Sequence, residues 1–498
     1  MTMRSSLRYL HRGEIRDVSH FGPMTTLLDH LRLERGLKGT KEGCNEGDCG
    51  ACTVVLGRLV DGHVSYRPVN ACIQLLGQID GEELITIEDL AASDGTLHPV
   101  QSAMVDLHGS QCGYCTPGIV MSLFALYQAD GPVGRSEVTD QLAGNLCRCT
   151  GYRPIVDAAL SACAARTENK PGDHVASKSA ETAVKLASLR DGADLFVGSQ
   201  TSFFAAPASI ESLATLYHQH PDAILVAGAT DVGLWITKQL RQLPKIIHLG
   251  RVVGLAEVHE TADGLTIGAA ATFSDVEAHM TAIDPDLGEV WRRIGSKQVR
   301  ASGTVGGNIA NGSPIGDSPP ALIALDATLT LQKGDDTRKM PLEAYFIAYG
   351  KQDRKPGEFV RSIHVPRLKP HQVFRAYKIS KRFDQDISAV MSAFRLTLEG
   401  DFIREARIAF GGMAATPKRA HGAEKALVGA SLADEASWAA ALAAIRADFT
   451  PLSDMRASAT YRSDTAAALL EKALIEIAGT STHATRVTGH RPVSEAAE

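Results

Sequence analysis

Eight of the nine cysteines in this 498-residue chain lie in two quartets before residue 150, and a workable fold must gather each quartet. The first is Cys44, Cys49 and Cys52 with a distant Cys72. The second is Cys112-x2-Cys115 with Cys147-x-Cys149, two tight pairs that converge only if two chain segments pack side by side. The N-terminal stretch MTMRSSLRYLHRGEIRD contains no apolar run long enough for a signal-peptide core. Clustered cysteines in such a chain are expected to be metal ligands rather than disulfides, and the cytoplasm is the expected compartment. A formal net charge of −6 gives no electrostatic argument for nucleic acid or an anionic membrane surface. No segment approaches the roughly 18–20 apolar residues of a membrane span.

The chain is long enough for several domains, each with its own core. Residues 1–88 mix short apolar strands (7–10, 53–56, 63–66 and 84–87) with one helical run, 25–35, opened by Pro23. A small mixed sheet crossed by a helix is expected. From 89 to 165 strand signals vanish and apolar residues recur at helical spacing, as in 117–127 and 155–160, which predicts a helical bundle. Residues 166–196 are rich in Lys, Asp, Glu, Ser and Ala and read as an exposed linker. Residues 197–369 alternate strands with helices and carry two glycine-rich turns. Residues 370–480 read as strands (373–379, 388–398, 402–410) followed by Ala-rich helices, and 481–498 as a disordered tail.

The C-x4-C-x2-C loop with a remote fourth cysteine is the spacing of plant-type 2Fe-2S ligation. Gly43 directly precedes the first ligand and Gly47 and Gly50 lie between the ligands, where backbone must fold closely around a cluster and offer N–H groups to its sulfurs. A structural zinc site is the alternative, although zinc ribbons favour two CxxC pairs. For the second quartet, Pro117 and the apolar run 155–160 place both cysteine pairs just before helices. Helix N-termini favour negative charge and suit an anionic cluster between them, with zinc again the alternative. Cys163 reads as a buried structural thiol.

Val226-Ala-Gly-Ala-Thr-Asp-Val-Gly233 follows the apolar strand 223–226, and Gly303-Thr-Val-Gly-Gly-Asn308 lies upstream of Gly312-Ser-Pro-Ile-Gly-Asp317. Successive backbone N–H groups in such turns can cradle a pyrophosphate, though turns of no function look the same. Neither G-x-G-x-x-G nor G-x-x-x-x-G-K-[ST] occurs, so a Rossmann site and a P-loop are unsupported while a flavin held by two nests is compatible.

TKEGCNEGDCGACTV (40–54), GSQCGYCTPGIVMS (109–122), GNLCRCTGYRPI (144–155), VAGATDVG (226–233) and GTVGGNIANGSPIGDSPP (303–320), in this order, resemble the iron–sulfur and flavin subunit of bacterial molybdenum hydroxylases of the xanthine dehydrogenase branch. The resemblance runs to about residue 480. It implies a multidomain α+β fold: a ferredoxin-like β-grasp 2Fe-2S domain, a helical-bundle 2Fe-2S domain, an α/β FAD-binding domain of the vanillyl-alcohol-oxidase type, and a C-terminal α+β domain related to the carbon monoxide dehydrogenase flavoprotein. Its cluster ligands would be Cys44, Cys49, Cys52 and Cys72, then Cys112, Cys115, Cys147 and Cys149. Its FAD contacts would be Val226, Ala227, Gly228, Ala229, Thr230, Asp231, Val232, Gly233, Thr304, Val305, Gly306, Gly307, Asn308, Asp317, Val360 and Lys378. Ile294 falls where animal members place an aromatic residue beside the flavin, and an aliphatic chain cannot stack as a π-system does.

The sequence stops short of a molybdopterin domain, so the resemblance implies that a separate, larger subunit carries the molybdenum site, with Gln111 a pterin contact at the boundary and no catalytic residue in this chain. Hypoxanthine would be hydroxylated to xanthine and xanthine to urate on that partner. Electrons would then pass through the Cys112 cluster, the Cys44 cluster and FAD to NAD, with the cofactors joining one-electron to two-electron chemistry. A dimer of heterodimers is the expected assembly. Three alternatives remain: the same role in an aldehyde or aromatic-ring hydroxylase, a free-standing flavin reductase, and a zinc-stapled non-catalytic scaffold.

Overall fold

The computed structural model describes residues 3–166, 172–479 and 485–486, and the chain forms two compact units. The first comprises Met1–Gly254 with Gly295–Gly303; the second comprises Leu255–Ile294 with Thr304–Glu498. None of the helices among the described residues is long and apolar enough to cross a membrane.

The first unit opens with a five-stranded mixed sheet in the lateral order Glu14–Val18, Leu7–His11, Glu83–Ile85, Thr53–Val60, His63–Asn70. Alternate residues face inward, so Leu7, Tyr9, Val54, Leu56 and Val69 meet Leu27, Leu28 and Leu31 of the crossing helix in one buried core. Thr26 caps that helix by accepting the Asp29 N–H at 3.0 Å. Its second half, His30–Glu34, is wound more loosely, with i+5 hydrogen bonding. This is the expected sheet crossed by a helix, with one addition: Glu14–Val18 is an edge strand whose polar sequence hides it.

Helices Pro99–Asp106, Thr116–Gln128, Arg135–Leu142 and Arg153–Ala164 follow, packed around Ile119, Leu123, Phe124, Val138, Ile155 and Ala159. The exposed linker expected over 166–196 is a misreading for part of its length. Ser179–Leu189 is a helix whose Leu186 and Leu189 are buried against Leu10, and Asp194–Ser199 is a strand. Three correctly spaced inward residues, Thr182, Leu186 and Leu189, suffice to dock it, and they are too sparse to raise the segment's mean hydropathy.

The last sheet of this unit runs Met3–Arg4, Asp194–Ser199, Ser202–Ala206, Lys245–His248, Ile224–Val226, so the N-terminus adds a parallel edge strand. The Val226–Gly233 loop leaves the end of Ile224–Val226 and leads into a short helix, Val232–Thr237.

The second unit contains, besides a two-stranded ribbon of Phe346–Ala348 and Lys351–Gln352, two larger sheets. One has the order Val258–Glu260, Gly264–Gly268, Phe359–Pro366, Thr328–Lys333, Asp336–Pro341. The other is Gln372–Ile379, Val390–Glu399, Phe402–Gly411, Lys418–Arg419, an antiparallel meander. Helices His421–Leu427, Ala439–Asp448 and Ala459–Ala478 share a core with the meander built on Phe394, Phe410, Trp438 and Leu470. Apart from Thr485 and Arg486, the tail expected to be disordered lies outside the described residues. Arg486 pairs with Asp286 at 2.6 Å and Glu476 at 2.6 Å.

Candidate electron-transfer centres and flavin loops

The first quartet is gathered by a loop and a strand end. Cys44 and Cys49 are half-buried on the loop; Cys52, just before Thr53–Val60, and Cys72, just after His63–Asn70, are buried. The loop closes through backbone at positive φ, at Gly47 (+79°) and Gly50 (+68°), which aims the Asp48 and Cys49 N–H groups at the Cys44 sulfur, both at 3.3 Å. Contact with the Cys49 and Cys72 thiols, joined by the N–H groups of Cys49 and Glu46, holds the Cys44 thiol far below its usual range. Contact with Cys44 in turn pushes Cys49 up, and contact with Cys44 and then Cys52 does the same to Cys72. Thiols this crowded ionise together only beside compensating positive charge, which a ferric cluster supplies. Asn70, unremarked in the sequence, steadies the loop by donating to the Gly47 carbonyl at 2.9 Å.

The second quartet forms two pairs, each drawing one cysteine from each segment: Cys112 with Cys149, and Cys115 with Cys147. Burial first, and contact with Cys147 second, push the Cys115 thiol up to about 12. Burial also acts to raise Cys147, yet the Thr150 hydroxyl, 3.1 Å away, and nearby backbone N–H groups bring it below its ordinary value. The Cys147 N–H donates to the Tyr152 hydroxyl at 2.8 Å. Cys112, Cys149 and Gln111 are exposed, so this centre opens to solvent on one side. Among the described residues no three His, Cys, Asp or Glu surround one point as a single bound ion requires. Touching pairs of thiols match the two-per-iron demand of a two-iron cluster. Cys163 is only half-buried, and burial raises its thiol.

The two quartets are neighbours. Leu146 N–H donates to the Cys49 carbonyl at 2.9 Å, Asn145 Nδ2 to the Gly50 carbonyl at 3.1 Å, and the Tyr114 hydroxyl to the Glu42 carbonyl. A Cβ at Gly118 would collide with the Gly50 carbonyl oxygen, so the helix that follows Cys115 presses on the first loop.

The first glycine-rich loop is also adjacent. Gln78 Nε2 donates to the Ala227 carbonyl at 2.8 Å, a Cβ at Gly233 would stand 2.8 Å from Ile73 Cβ beside Cys72, and Lys238 Nζ donates to the Cys44 carbonyl at 2.5 Å. Ala229 adopts φ +59°, unusual for a residue with a Cβ, and Gly233 N–H closes the turn on the Ala229 carbonyl at 2.7 Å. A Cβ at Gly228 would strike the Ser302 carbonyl oxygen.

In the second unit, Thr304 accepts the Gly307 N–H at 3.0 Å and opens helix Val305–Asn311. Gly306 is pressed against Ala269, whereas a Cβ at Gly307 would meet only Thr304 Oγ1, at 2.8 Å. Asn308 accepts from Ser318 at 2.6 Å. Asp317 and Lys378, 61 residues apart, form a buried ion pair at 2.6 Å, with Ser388 donating to Asp317 and Lys378 donating to the Arg293 carbonyl at 2.9 Å beside half-buried Ile294. Val360 is buried on Phe359–Pro366 opposite Leu331.

Comparison with known proteins assigns the parts. Residues 86–160 match the [2Fe-2S] binding domain family, 197–368 the family described as FAD binding domain in molybdopterin dehydrogenase, and 375–477 the CO dehydrogenase flavoprotein C-terminal domain. The fold and these matches define an iron–sulfur flavoprotein of the molybdenum-enzyme type. The chain belongs to the molybdenum hydroxylase family, as its iron–sulfur and FAD portion. Curated relatives include xanthine dehydrogenase of Drosophila pseudoobscura pseudoobscura, 32% identical over 79% of this chain and 33% of that protein. Xanthine dehydrogenase/oxidase of Mus musculus has the same values, and xanthine dehydrogenase of Blastobotrys adeninivorans is 30% identical over 86% and 37%. The chain thus spans about a third of the length of the curated relatives it matches. Among solved structures, reconstituted CO dehydrogenase from Oligotropha carboxidovorans superposes with a TM-score of 0.51 at 27% identity, covering 55% of this chain and 96% of that one. Carbon monoxide dehydrogenase from Hydrogenophaga pseudoflava gives 0.52 at 26%, covering 55% and 96%.

Proposed function

We propose that this chain is the electron-transfer subunit of a xanthine dehydrogenase. A larger partner subunit bears the molybdopterin site and takes hypoxanthine to xanthine and xanthine to urate; this chain carries the electrons onward, with NAD as acceptor. When bound, the clusters supply one-electron steps and FAD the conversion to hydride transfer. Cys112, Cys115, Cys147 and Cys149 hold the entry cluster, whose exposed edge beside Gln111 faces the partner. Cys44, Cys49, Cys52 and Cys72 hold the second cluster, and Val226–Gly233 in the first unit and Thr304–Asn308 in the second are candidate flavin-phosphate loops. Asp317 and Lys378 neutralise each other when buried and present a fixed polar surface to the flavin, flanked by Ile294 and Val360.

The observation that carries this reading is the continuity of the hydrogen bonds from the second quartet to the first (Leu146 to Cys49) and from the segment after Cys72 to the flavin loop (Gln78 to Ala227). A relay needs neighbouring stations in that order. The xanthine dehydrogenase relatives support the substrate assignment. The test is to purify the complex with its large subunit and assay a panel of purines, aldehydes and aromatic heterocycles with NAD. Purine turnover with NAD is expected, and turnover of aldehydes or heterocycles alone would move the chain to another branch of the family.

A further inference from the structure

One segment of the first unit comes from far along the sequence. Residues Gly295–Gly303 leave the second unit's chain, pack among the cluster-binding segments, and return at Thr304. Within it, Gln298 is 1% exposed. Its Nε2 donates to Asn145 Oδ1 at 2.8 Å, Ser122 Oγ at 3.1 Å and Thr53 Oγ1 at 3.3 Å.

Those acceptors flank both quartets. Thr53 directly follows Cys52, Asn145 lies two residues before Cys147, and Ser122 sits on the helix that begins after Cys115. The amide orientation follows from the network, because both hydroxyls are already committed as donors. Thr53 donates to the Gly50 carbonyl at 2.7 Å and Ser122 to Asn145 Oδ1 at 2.6 Å, so each has lone pairs to offer Gln298. Asn145 Nδ2 completes the ring through Gly50 and Thr53. Gln298 Oε1 has no hydrogen-bond partner in this buried site and abuts Gly144, where a Cβ would collide with it.

The same segment is fastened at both ends. Arg300, 1% exposed, pairs with Asp140 at 3.1 Å on helix Arg135–Leu142. Ser302 donates to Gln74, two residues after Cys72, at 3.4 Å, and its carbonyl oxygen fills the space a Cβ would need at Gly228.

We propose that Gln298 is a positioning residue of the relay, its amide locking the two cluster loops at one separation and orientation and so setting the electronic coupling between the clusters. This rests on the assignment of both quartets as 2Fe-2S ligands. A buried amide whose two N–H donors are shared among acceptors on three segments ties those segments together, since moving one disturbs the contacts to the others.

The test uses the full chain with its clusters and FAD. Gln298→Leu keeps the volume and removes every donor; Ser122→Ala removes one acceptor of the amide together with its own bond to Asn145, and should fold even if the first variant does not. Both are expected to retain wild-type iron, sulfide and flavin. Low-temperature EPR should show altered magnetic interaction between the two reduced clusters, and the rate of electron exchange between them should fall by about tenfold in Gln298→Leu, the scale on which small displacements of reacting centres act, and by less in Ser122→Ala. Lys297→Ala, which lies outside the amide network and removes an ion pair to Asp140 that Arg300 still holds, should leave both readouts unchanged. Unaltered magnetic interaction and exchange rate in folded Gln298→Leu, or in Ser122→Ala where Gln298→Leu does not fold, overturn the proposal. Absence of cluster signals from the wild-type chain would instead overturn the ligand assignment beneath it.

Discussion

At the scale of single residues, the flavin loops and one buried carboxyl make distinct demands. A Cβ at Gly307 would meet Thr304 Oγ1 at 2.8 Å, the hydroxyl that already accepts its N–H. A Gly307→Val change therefore displaces that capping hydroxyl and sets a branched Cβ on the surface proposed to face the pyrophosphate. Flavin affinity should fall tenfold or more, a loss of about 1.4 kcal/mol or more. Iron should remain at about four per chain, since each 2Fe-2S cluster takes four cysteines, and Cys163→Ser should keep the same count. Flavin fluorescence after denaturation, set against iron content, checks both. Glu83 is a different case: burial, then the charge of Asp89, raises it to about 7. The folded chain thus holds a proton that the unfolded chain releases above the ordinary value of 4.5. Stability contributed at this position falls as pH rises between those values and is constant above about 7, by up to about 3 kcal/mol. Glu83→Gln should gain stability over the parent progressively from pH 4.5 to 7, read as melting temperature against pH; a gain that shrinks with rising pH would contradict the assignment.

At the scale of elements, helix Ser179–Leu189 shows where sequence reading succeeds and fails. Its docking rests on Leu186 and Leu189, both buried against Leu10. Leu186→Ala should cost about 2–4 kcal/mol, measured by chemical denaturation of the cluster-loaded chain. A substitution in a true linker would cost nothing. The β-grasp sheet, the four-helix cluster domain and the C-terminal meander were legible because apolar periods of two and 3.6 recur over many residues there. The edge strand Glu14–Val18 was not, because it has a single apolar residue on each face, Ile15 and Val18, and its backbone partner, Leu7–His11, supplies the order. Likewise the eight cysteines could be proposed as ligands from their spacing and the family pattern, whereas Gln298, Asn145 and Asn70 carry no motif. Their importance arises from tertiary hydrogen bonds such as Gln298 to Thr53, across 245 positions. Asp317 and Lys378 could be suspected individually from the family pattern, but their pairing is a fact of packing.

At the scale of the whole molecule, a relay that takes electrons from one partner and gives them to another can be cut in the middle while its exit still works. Cys115 is the place to cut. It directly precedes helix Thr116–Gln128 and touches Cys147, and burial pushes its thiol up to about 12. In the complex with the large subunit, Cys115→Ala should abolish purine-linked NAD reduction by removing a ligand of the entry cluster. NADH oxidation by an artificial dye needs only the flavin and should persist near the parental rate. The comparison must be made on protein shown to retain FAD and its partner, because a lost thiolate can also unfold the helical domain that Ile119, Phe124 and Ile155 hold together. The isolated chain should likewise oxidise NADH with dye and leave purines untouched, regaining purine-to-NAD turnover when the large subunit is added. Purine oxidation by the isolated chain, or undiminished purine-to-NAD turnover in the Cys115→Ala complex, would show that electrons do not enter through this quartet.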